Sequence, residues 1–507
     1  MDQLGGLDGA FVYAETPATH LHVCGLLLFD TATMEGGYSF DRIRAVVEER
    51  LLTIPVVRQK LATVPLHLSR PFWVDDPDLD VDRHVHRVDA PPPGDDFALA
   101  DLVGEIASRP LPRDRPLWEV WVIEGLADDR LAVVVKMHHS TIDGVTGANL
   151  MGNLFDLDPA GTQPAVDMGV EGGGDQARTP APATAGGTGS SVIGRLRASE
   201  PVRSMELLGR GVASRLAQPW EIARLLPMTT YRIASTVWSL GRRGEGVTPP
   251  VAPFTAPRTS FNATITGRRS VAFTSVSLAD IKKVKNVFGV TVNDVVTAVV
   301  GGALRHYLDD RGELPERSLI AVTPISVHGQ TGPDGGTTRL SVMFSTLASD
   351  VADPAARLET VAAANDQAKD IHRMVGADTL MRWAGLFWPN AFALGARLYS
   401  DLHVADHHPV VHNLILSNVP GPPVPLYFGG ARLVGLFPLG PIMDGAGLNV
   451  TVLSEEDRVG FGLIACPDLV PRVWDVAAAI PVALDELLAV VPTTPAAIPA
   501  PPGPPVP

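Results

Sequence analysis

The sequence predicts the α/β fold class, with two sandwich-like domains that each mix strands and helices. Both halves of the chain place apolar strand-like runs between amphipathic helical stretches. Neither half shows the regular strand–helix–strand rhythm of a Rossmann sheet, nor a repeat of about 20–50 residues that would indicate a solenoid. A stretch rich in glycine and proline, with 12 such residues among positions 159–191, separates the two halves.

Shifts in composition predict four regions along the 507 residues. An N-terminal domain over 1–158 is followed by a flexible linker over 159–200, because so few apolar side chains cannot offset the entropy of ordering. A second domain over 201–491 comes next. The tail over 492–507 contains 8 prolines and is expected to be extended and exposed.

Local signals predict the elements of the first domain. Ser39 is expected to cap a helix over Asp41–Leu52, and a turn is expected around Ala127–Asp129. Apolar runs predict three strands, at Val23–Phe29, Trp118–Glu124 and Leu131–Met137.

The second domain carries helix signals between its strands. Ser277 and Asp280 form an S-x-x-D capping pattern for a helix that ends at Gly289, and a further helix covers Val292–Leu308. An amphipathic helix is expected after Pro471. Five strands are predicted, at Val271–Val276, Leu319–Val322, His412–Ser417, Leu448–Leu453 and Val459–Ile464.

Charge and composition exclude several classes of protein. A net charge of −15 argues against a nucleic-acid partner, which needs clustered cations. The two cysteines, Cys24 and Cys466, exclude a disulfide scaffold and indicate a reducing cytosol. The first basic residue is Arg42, so no secretory signal is expected, and no apolar run reaches the length of about 18 residues that a membrane span needs. A charged fraction of only 19% makes the chain unusually apolar for a protein without a membrane span.

The strongest chemical signal is the stretch LAVVVKMHHSTIDGVTG over 131–147. Its valines indicate a strand buried on both faces, with His138 and His139 at the carboxyl end of that strand. Side chains alternate along a strand, so the two imidazoles point to opposite sides and only one can face a given cavity. Asp143 and Gly144 follow, and Gly144 permits a tight turn into a helix.

Several interpretations of this pair compete on the residues alone. The histidines could be hydrogen-bonded core residues, or they could bind a metal together with Asp143. Adjacent histidines on a strand diverge too far to chelate one ion easily, and no second carboxylate lies nearby. Nucleophilic serine catalysis and a phosphate-binding loop find no support, since the chain contains neither GxSxG nor GxxxxGK[ST].

The pattern HHxxxDG resembles the active-site motif of the CoA-dependent acyltransferase superfamily. More narrowly, the chain resembles the bacterial wax ester synthase/diacylglycerol acyltransferase family over about residues 4–490. Four further stretches in the family's order carry that resemblance: LDGAFVYAETPATHLHVCGLLLF (7–29), RPLWEVWVIEGL (115–126), VNDVVTAVVGGALRHYL (292–308) and LSNVPGPPVPLYFGG (416–430).

The resemblance implies two chloramphenicol-acetyltransferase-like domains packed around a central substrate tunnel. It implies that His139 is the general base that takes a proton from the acceptor hydroxyl, while His138 packs behind the site. Asp143 would be a structural anion paired with an arginine, a direct contact with His139 being the alternative. No metal and no cofactor are implied, because acyl-CoA enters as a co-substrate.

Asn293 is the candidate donor for the oxyanion that forms during transfer. Asn293 and Asp294 fall in the first turn of a predicted helix, where free N–H groups and the helix dipole favour negative charge. The resembling family uses the asparagine of this pair near its active centre. The alternative is that Asn293 only caps the helix and Asp294 complements its dipole.

Two further motifs are assigned to turns. The stretch HVADHHPVVHN over 403–413 holds four histidines, but Pro409 interrupts any helix there and Asp406 is the only nearby carboxylate. A turn is therefore favoured over a metal site. The SNVPGP loop that follows, including Asn418, is predicted to be a defined structural turn.

Two apolar stretches with arginines, 219–243 and 380–399, could line an acyl channel or rest on a lipid surface, or could be ordinary core helices. The resemblance implies a cytoplasmic enzyme, peripherally bound to membrane or lipid droplets. It would transfer a long-chain acyl group from acyl-CoA to diacylglycerol, or to a fatty alcohol to give a wax ester. The alternatives are a condensation-type acyltransferase that uses a carrier-protein thioester, and a non-catalytic lipid-binding protein.

Overall fold

The computed structural model of the chain describes residues 2–63, 70–141, 153–161, 254–326, 340–375 and 389–491. Numbered within these residues, the helices are α1 Gly6–Ala14, α2 Phe40–Leu51, α3 Asp96–Ser108, α4 Leu278–Phe288, α5 Val292–Asp310, α6 Pro354–Val375, α7 Pro389–Asp401 and α8 Val473–Ala489. The strands are β1 Asp2–Gln3, β2 His22–Asp30, β3 Gln59–Ala62, β4 Phe72–Asp75, β5 Val85–Asp89, β6 Trp118–Glu124, β7 Arg130–His138, β8 Ser270–Ser277, β9 Ile320–Ser326, β10 Leu340–Thr346, β11 Leu414–Val419, β12 Tyr427–Phe428, β13 Ala431–Leu439, β14 Leu448–Glu455 and β15 Arg458–Ala465.

One six-stranded sheet holds the histidine motif. Its strand order is β12–β13–β2–β7–β6–β5, and its neighbours are antiparallel except for β5 and β6. The central pair runs in register from His22 opposite His138 to Asp30 opposite Arg130. The motif therefore begins where the most enclosed strand of this sheet ends.

The predicted burial of both faces of β7 is confirmed. Leu131 and Val133 belong to the apolar core on the α2 side of the sheet. Ala132 and Val134 belong to a second core that contains α3 and residues of the other sheet. Alternation along a strand thus anchors β7 in two cores at once, which fixes the position of the residue that follows it.

The second six-stranded sheet has the order β10–β9–β11–β14–β15–β8. Helix α5 packs against α4, α6 and α8, and the core residues of α5 and α8 are buried on this sheet. The predicted caps are present: the Ser277 hydroxyl accepts the N–H of Asp280 at 3.2 Å, and Gly289 ends the helix at φ 67°. A small third sheet contains β1, β4 and β3.

The two large sheets touch through glycines of β15. A Cβ at Gly460 would lie 2.3 Å from the carbonyl oxygen of Leu436, and one at Gly462 would lie 2.1 Å from that of Pro438. No side chain fits in that space, so glycine allows the backbones of β15 and β13 to meet directly.

Strand pairing crosses the predicted division between residues 1–158 and 201–491. Strands β12 and β13 belong to the second range, yet β13 pairs with β2 of the first sheet over Arg432–Leu439. The α/β class with two sheet-containing halves is confirmed. The domain boundaries themselves stay predictions.

Several predicted segments lie outside the described residues. These are nearly all of the 159–200 linker, the 219–243 stretch, the 492–507 tail, and the beginning of the 380–399 stretch. No single helix of the described ranges is long and apolar enough to cross a membrane. The pair α4 and α5, bent by 106°, meets the length and composition criteria together.

Candidate functional site

The histidine pair stands where β7 gives way to a short 3₁₀ turn. His138 is the last residue of the strand, and the turn covers His139–Thr141. The Thr141 hydroxyl donates to the carbonyl of His138 at 2.6 Å, which closes the turn. Asp143 and Gly144 lie outside the described residues, so their predicted roles stay predictions.

His138 is fully buried in a polar setting. Its Nδ1 accepts the backbone N–H of Ser140 at 3.1 Å and lies 2.6 Å from the Ser140 hydroxyl. Because Nδ1 accepts, the ring proton is on Nε2, which lies 3.1 Å from Oε1 of Glu15. Burial lowers the pKa of His138, although the Glu15 carboxylate acts in the opposite direction. His138 is therefore a neutral, fixed imidazole, and its role behind the site stays a prediction.

Glu15 supplies the charge behind His138. It follows the last residue of α1, and its Oε1 also accepts the backbone N–H of Leu21 at 3.1 Å. Arg113 forms an ion pair with Oε2. Burial raises the pKa of Glu15, but the contacts with His138 and Arg113 outweigh it and bring the pKa to about 2. The carboxylate is thus ionised at any physiological pH.

His139 is only partly exposed and is held by its backbone. Its N–H donates to the carbonyl of Leu21 at 2.8 Å, and its ring lies 4.4 Å from that of Phe11. Loss of hydration lowers the pKa of His139 to about 4, against the opposing effect of a hydrogen bond with its own backbone. The imidazole is therefore neutral near pH 7 and able to accept a proton, which is the state a general base needs.

The predicted oxyanion pair begins α5 in the second half. Thr291 is the N-cap, and it forms a capping box with Asp294: the Thr291 backbone N–H donates to the Asp294 carboxylate at 2.9 Å, and the Thr291 hydroxyl oxygen accepts the Asp294 N–H at 3.2 Å. The other oxygen of Asp294 accepts the side-chain amide of Asn365 at 2.8 Å. Asp294 is thus a buried structural residue, and the capping role weighed for Asn293 belongs to Thr291.

Asn293 sits one residue inside the helix and contacts the SNVPGP stretch. Its Oδ1 accepts the Asn418 amide at 3.3 Å, and among the described residues this is the only side-chain hydrogen bond of Asn293. The NH₂ group of Asn293 is therefore not engaged by those residues. Asn418 lies in β11 rather than in the expected turn, because the strand continues to Val419 before Pro420 ends its ladder.

The structure groups the predicted residues into two sets. His138 and His139 lie at the end of the first sheet, and Asn293 with Asp294 lies at the start of α5. Among the residues that the structure describes, no contact links the histidines to Asn293 or Asp294. Glu15 and Arg113 were not predicted from the sequence. A single glutamate after a helix carries no local chemical signal.

The histidines of the 403–413 stretch lie in different surroundings. His408 Nε2 lies 2.6 Å from the Tyr399 hydroxyl, and His412 is enclosed, so that loss of hydration lowers its pKa to about 4. His403 adopts a left-handed backbone at φ 50°. Within the described ranges, no group of three His, Cys, Asp or Glu side chains is arranged to hold a metal ion.

Comparison with known proteins places this geometry in a family. The family model for the wax ester synthase/diacylglycerol acyltransferase catalytic domain matches residues 4–296, and the WS/DGAT C-terminal domain model matches residues 337–488. A Mycobacterium tuberculosis protein named "Putative diacyglycerol O-acyltransferase" is 42% identical over 489 residues, covering 96% of this chain and 90% of that protein. Another from the same species, named "Probable diacyglycerol O-acyltransferase", is 32% identical over 96% of this chain and 99% of its own length.

Solved structures agree with that assignment. The wax ester synthase/diacylglycerol acyltransferase from Marinobacter aquaeolei VT8 is 28% identical, with a TM-score of 0.64 over 96% of this chain and 99% of that one. The first condensation domain of the calcium-dependent antibiotic synthetase reaches a TM-score of 0.50 at 14% identity, over 96% of this chain and 97% of that one. The latter similarity concerns the fold alone.

Proposed function

Because the chain belongs to the wax ester synthase/diacylglycerol acyltransferase family, we propose that it is an acyl-CoA:diacylglycerol O-acyltransferase. It transfers a long-chain acyl group from the thioester to a free hydroxyl and forms triacylglycerol, with fatty alcohols as further acceptors that give wax esters. The observation that carries the proposal is the position of His139, which is held at the end of β7 by its backbone bond to Leu21 and by the Phe11 ring, with its imidazole neutral.

In the proposed mechanism His139 acts as the general base. The His139 ring hydrogen-bonds to the backbone of the same residue. Nδ1 is the ring nitrogen nearer to that backbone, so we assign Nε2 as the atom that accepts the proton of the acceptor hydroxyl. The hydroxyl oxygen bonds to the thioester carbon, the carbon–sulfur bond breaks, and the proton passes from His139 to the departing CoA thiolate. A positioned base of this kind contributes about 10²–10⁴ in rate.

Asn293 is the proposed donor to the tetrahedral oxyanion. Its NH₂ group is not engaged by the described residues, and its position in the first turn of α5 adds the positive end of the helix dipole. The thioester supplies the driving force, so the proposed reaction uses no cofactor besides the acyl-CoA co-substrate. Asp143 remains proposed as the structural anion of the motif.

The function is tested with purified full-length protein, labelled palmitoyl-CoA, and diacylglycerol and hexadecanol in competition. Labelled ester should form from free acyl-CoA, and His139→Ala should lower kcat by at least about a hundredfold. Product ratios then give the preferred acceptor. If ester formed only with a carrier-protein thioester, a condensation-type enzyme would be correct. If the wild-type protein formed no ester with either acyl donor, the non-catalytic lipid-binding protein would be the correct interpretation.

We further propose that the protein is cytoplasmic and meets its lipid substrates by resting on a membrane or lipid-droplet surface. Helix α7 supports this, because its Leu394 and Leu398, with Leu402 directly after its last residue, follow one another at intervals of four and form one apolar stripe. Their exposed fractions are 58%, 46% and 65%. An exposed apolar stripe of this spacing is typical of helices that lie in a lipid interface.

Vesicle binding tests this proposal. Burying one leucine side chain contributes about 1.5–3 kcal/mol, so replacing all three leucines by serine should weaken binding to phosphatidylcholine–diacylglycerol vesicles by at least about tenfold. The matched control replaces three apolar residues that are similarly exposed on other helices or just beyond them, namely Val287, Val482 and Val490. Equal binding by both variants would contradict the proposed surface.

A further inference from the structure

We propose that Glu15 is a positioning residue for acyl transfer, whose carboxylate fixes His138 through its ring and His139 through the Leu21 peptide. The inference rests on the proposed role of His139 as the base. Glu15 itself contacts His138 and Leu21 and acts on the proposed base through them.

A single oxygen of Glu15 contacts His138 directly and is linked to His139 through the Leu21 peptide. Oε1 lies 3.1 Å from Nε2 of His138 and accepts the Leu21 N–H at 3.1 Å. The carbonyl of Leu21 in turn accepts the N–H of His139 at 2.8 Å. Leu21 directly precedes His22, which is the ladder partner of His138. The carboxylate therefore ties the loop before β2 to the turn after β7.

Helix α1 brings a second contact to the same place. Phe11 packs against the ring of His139 with 4.4 Å between centroids, and Glu15 follows four residues later, so both side chains project from one side of the helix end. Helix α1 also packs against the His139–Thr141 turn and against α7. Rotation of the helix would move the ring contact and the carboxylate together.

Arg113 keeps the carboxylate charged and oriented. It pairs with Oε2, which leaves Oε1 for Leu21 and His138. Each oxygen thus has its own partner, and rotation of the carboxylate would break contacts on both sides. Removing the charge would leave the exposed Arg113 guanidinium without this partner, so that it would no longer orient the side chain at position 15.

The test compares Glu15→Gln with Glu15→Asp. Glutamine keeps an oxygen for the Leu21 N–H but loses the charge, whereas aspartate keeps the charge on a shorter side chain. Misplacement of a catalytic group by about 1 Å costs up to about a hundredfold in rate. We expect Glu15→Gln to lower kcat by about 10–100-fold, with the KM for acyl-CoA changed by less than about twofold, and Glu15→Asp to recover part of the loss.

A double-mutant cycle with His139→Ala separates positioning from other roles. If Glu15 acts through His139, adding Glu15→Gln to His139→Ala should change the residual rate by less than about twofold. Asp156→Asn is the matched control, because it removes a buried carboxylate that pairs with Arg50 at 2.9 Å in the α2-side core. It should lower thermal stability and leave kcat within about twofold.

Three results would overturn the inference. Glu15→Gln could reduce the residual rate of His139→Ala by the same factor as the wild-type rate, could raise KM at unchanged kcat, or could match Asp156→Asn in losing stability alone. Should both Glu15 variants fold poorly, kcat per folded molecule, counted by thermal melting, decides the same question. An inactive wild type or a fully active His139→Ala would instead contradict the proposed function.

Discussion

On the acidic side of the pH–rate profile, kcat/KM should fall at a much lower pH than it would with a base of ordinary histidine pKa. His139 is the proposed base, and its pKa of about 4 means that it is neutral, and so active, at every pH above that value. At pH 5.5 about 97% of the base would be neutral, against about 9% for an imidazole of pKa 6.5. The difference is about tenfold in kcat/KM at a single pH.

Phe11 provides the perturbation that tests the cause. Loss of hydration is the largest influence on the His139 pKa, and the Phe11 ring covers one side of the imidazole at 4.4 Å. Phe11→Ala should admit water to the imidazole, and the charged form then becomes easier to solvate. The midpoint of the acidic limb should therefore move up by about one pH unit. Phe11→Leu keeps an apolar side chain over the imidazole and should raise the midpoint much less.

The assay is kcat/KM for acyl-CoA from pH 3.5 to 8, with thermal melting at each pH to count folded protein. A wild-type midpoint near 6.5 would refute the buried base. A limb that stays in place in Phe11→Ala would refute the assigned cause of the pKa shift, while leaving the base itself untouched.

Four other outcomes are expected. Asn293→Ala should lower kcat about 10²–10³-fold with little effect on stability. Asp294→Ala should lower the free energy of unfolding in urea by about 2–4 kcal/mol, because it removes the capping box and a buried hydrogen bond. Gly462→Ala should lower it by about 1–3 kcal/mol, through a Cβ 2.1 Å from a backbone oxygen. His139 and His412 both have pKa values of about 4 in the folded chain, so the unfolded state takes up protons first. Stability present above pH 6.5 should therefore fall as the pH drops towards 4, seen as a falling urea midpoint.

Local patterns predicted the elements well where one residue determines the structure. The Ser39 hydroxyl caps α2 by accepting the Arg42 N–H, and Gly289 ends α4 in a left-handed conformation. Long apolar runs such as β7 were also predictable, since burial on both faces leaves no polar alternation. These signals are short-range and need no knowledge of the partner strand.

Long-range pairing could not be predicted in this way. The strand over Ala431–Leu439 was missed, because its Gly435 and Pro438 weaken the strand pattern and its partner β2 lies about four hundred residues earlier. Glu15 was missed for the same physical reason. Its role follows from the meeting of α1, the Leu21 loop and the end of β7, and each of these pieces is unremarkable alone.

The residues proposed to do the chemistry and the residues that hold them in place differ in how far the sequence identifies them. Both histidines and Asn293 were identified from motifs, whose roles remain proposals. The cap of α5 was not, because Thr291, Asn293 and Asp294 are all plausible caps and only the backbone geometry separates them. Residues that hold the reactive groups are spread along the chain and leave no motif.

The pairing of β13 with β2 sets an order of events during synthesis. Strand β2 carries the run Leu26–Phe29, and the strand that covers its edge leaves the ribosome only after residue 439. Domains commonly begin to fold from the N-terminus as they emerge, but here the histidine-bearing sheet keeps an open apolar edge for most of translation. A chain released before Tyr427 would expose that edge permanently. The sheet that carries the histidines is therefore completed only near the end of synthesis.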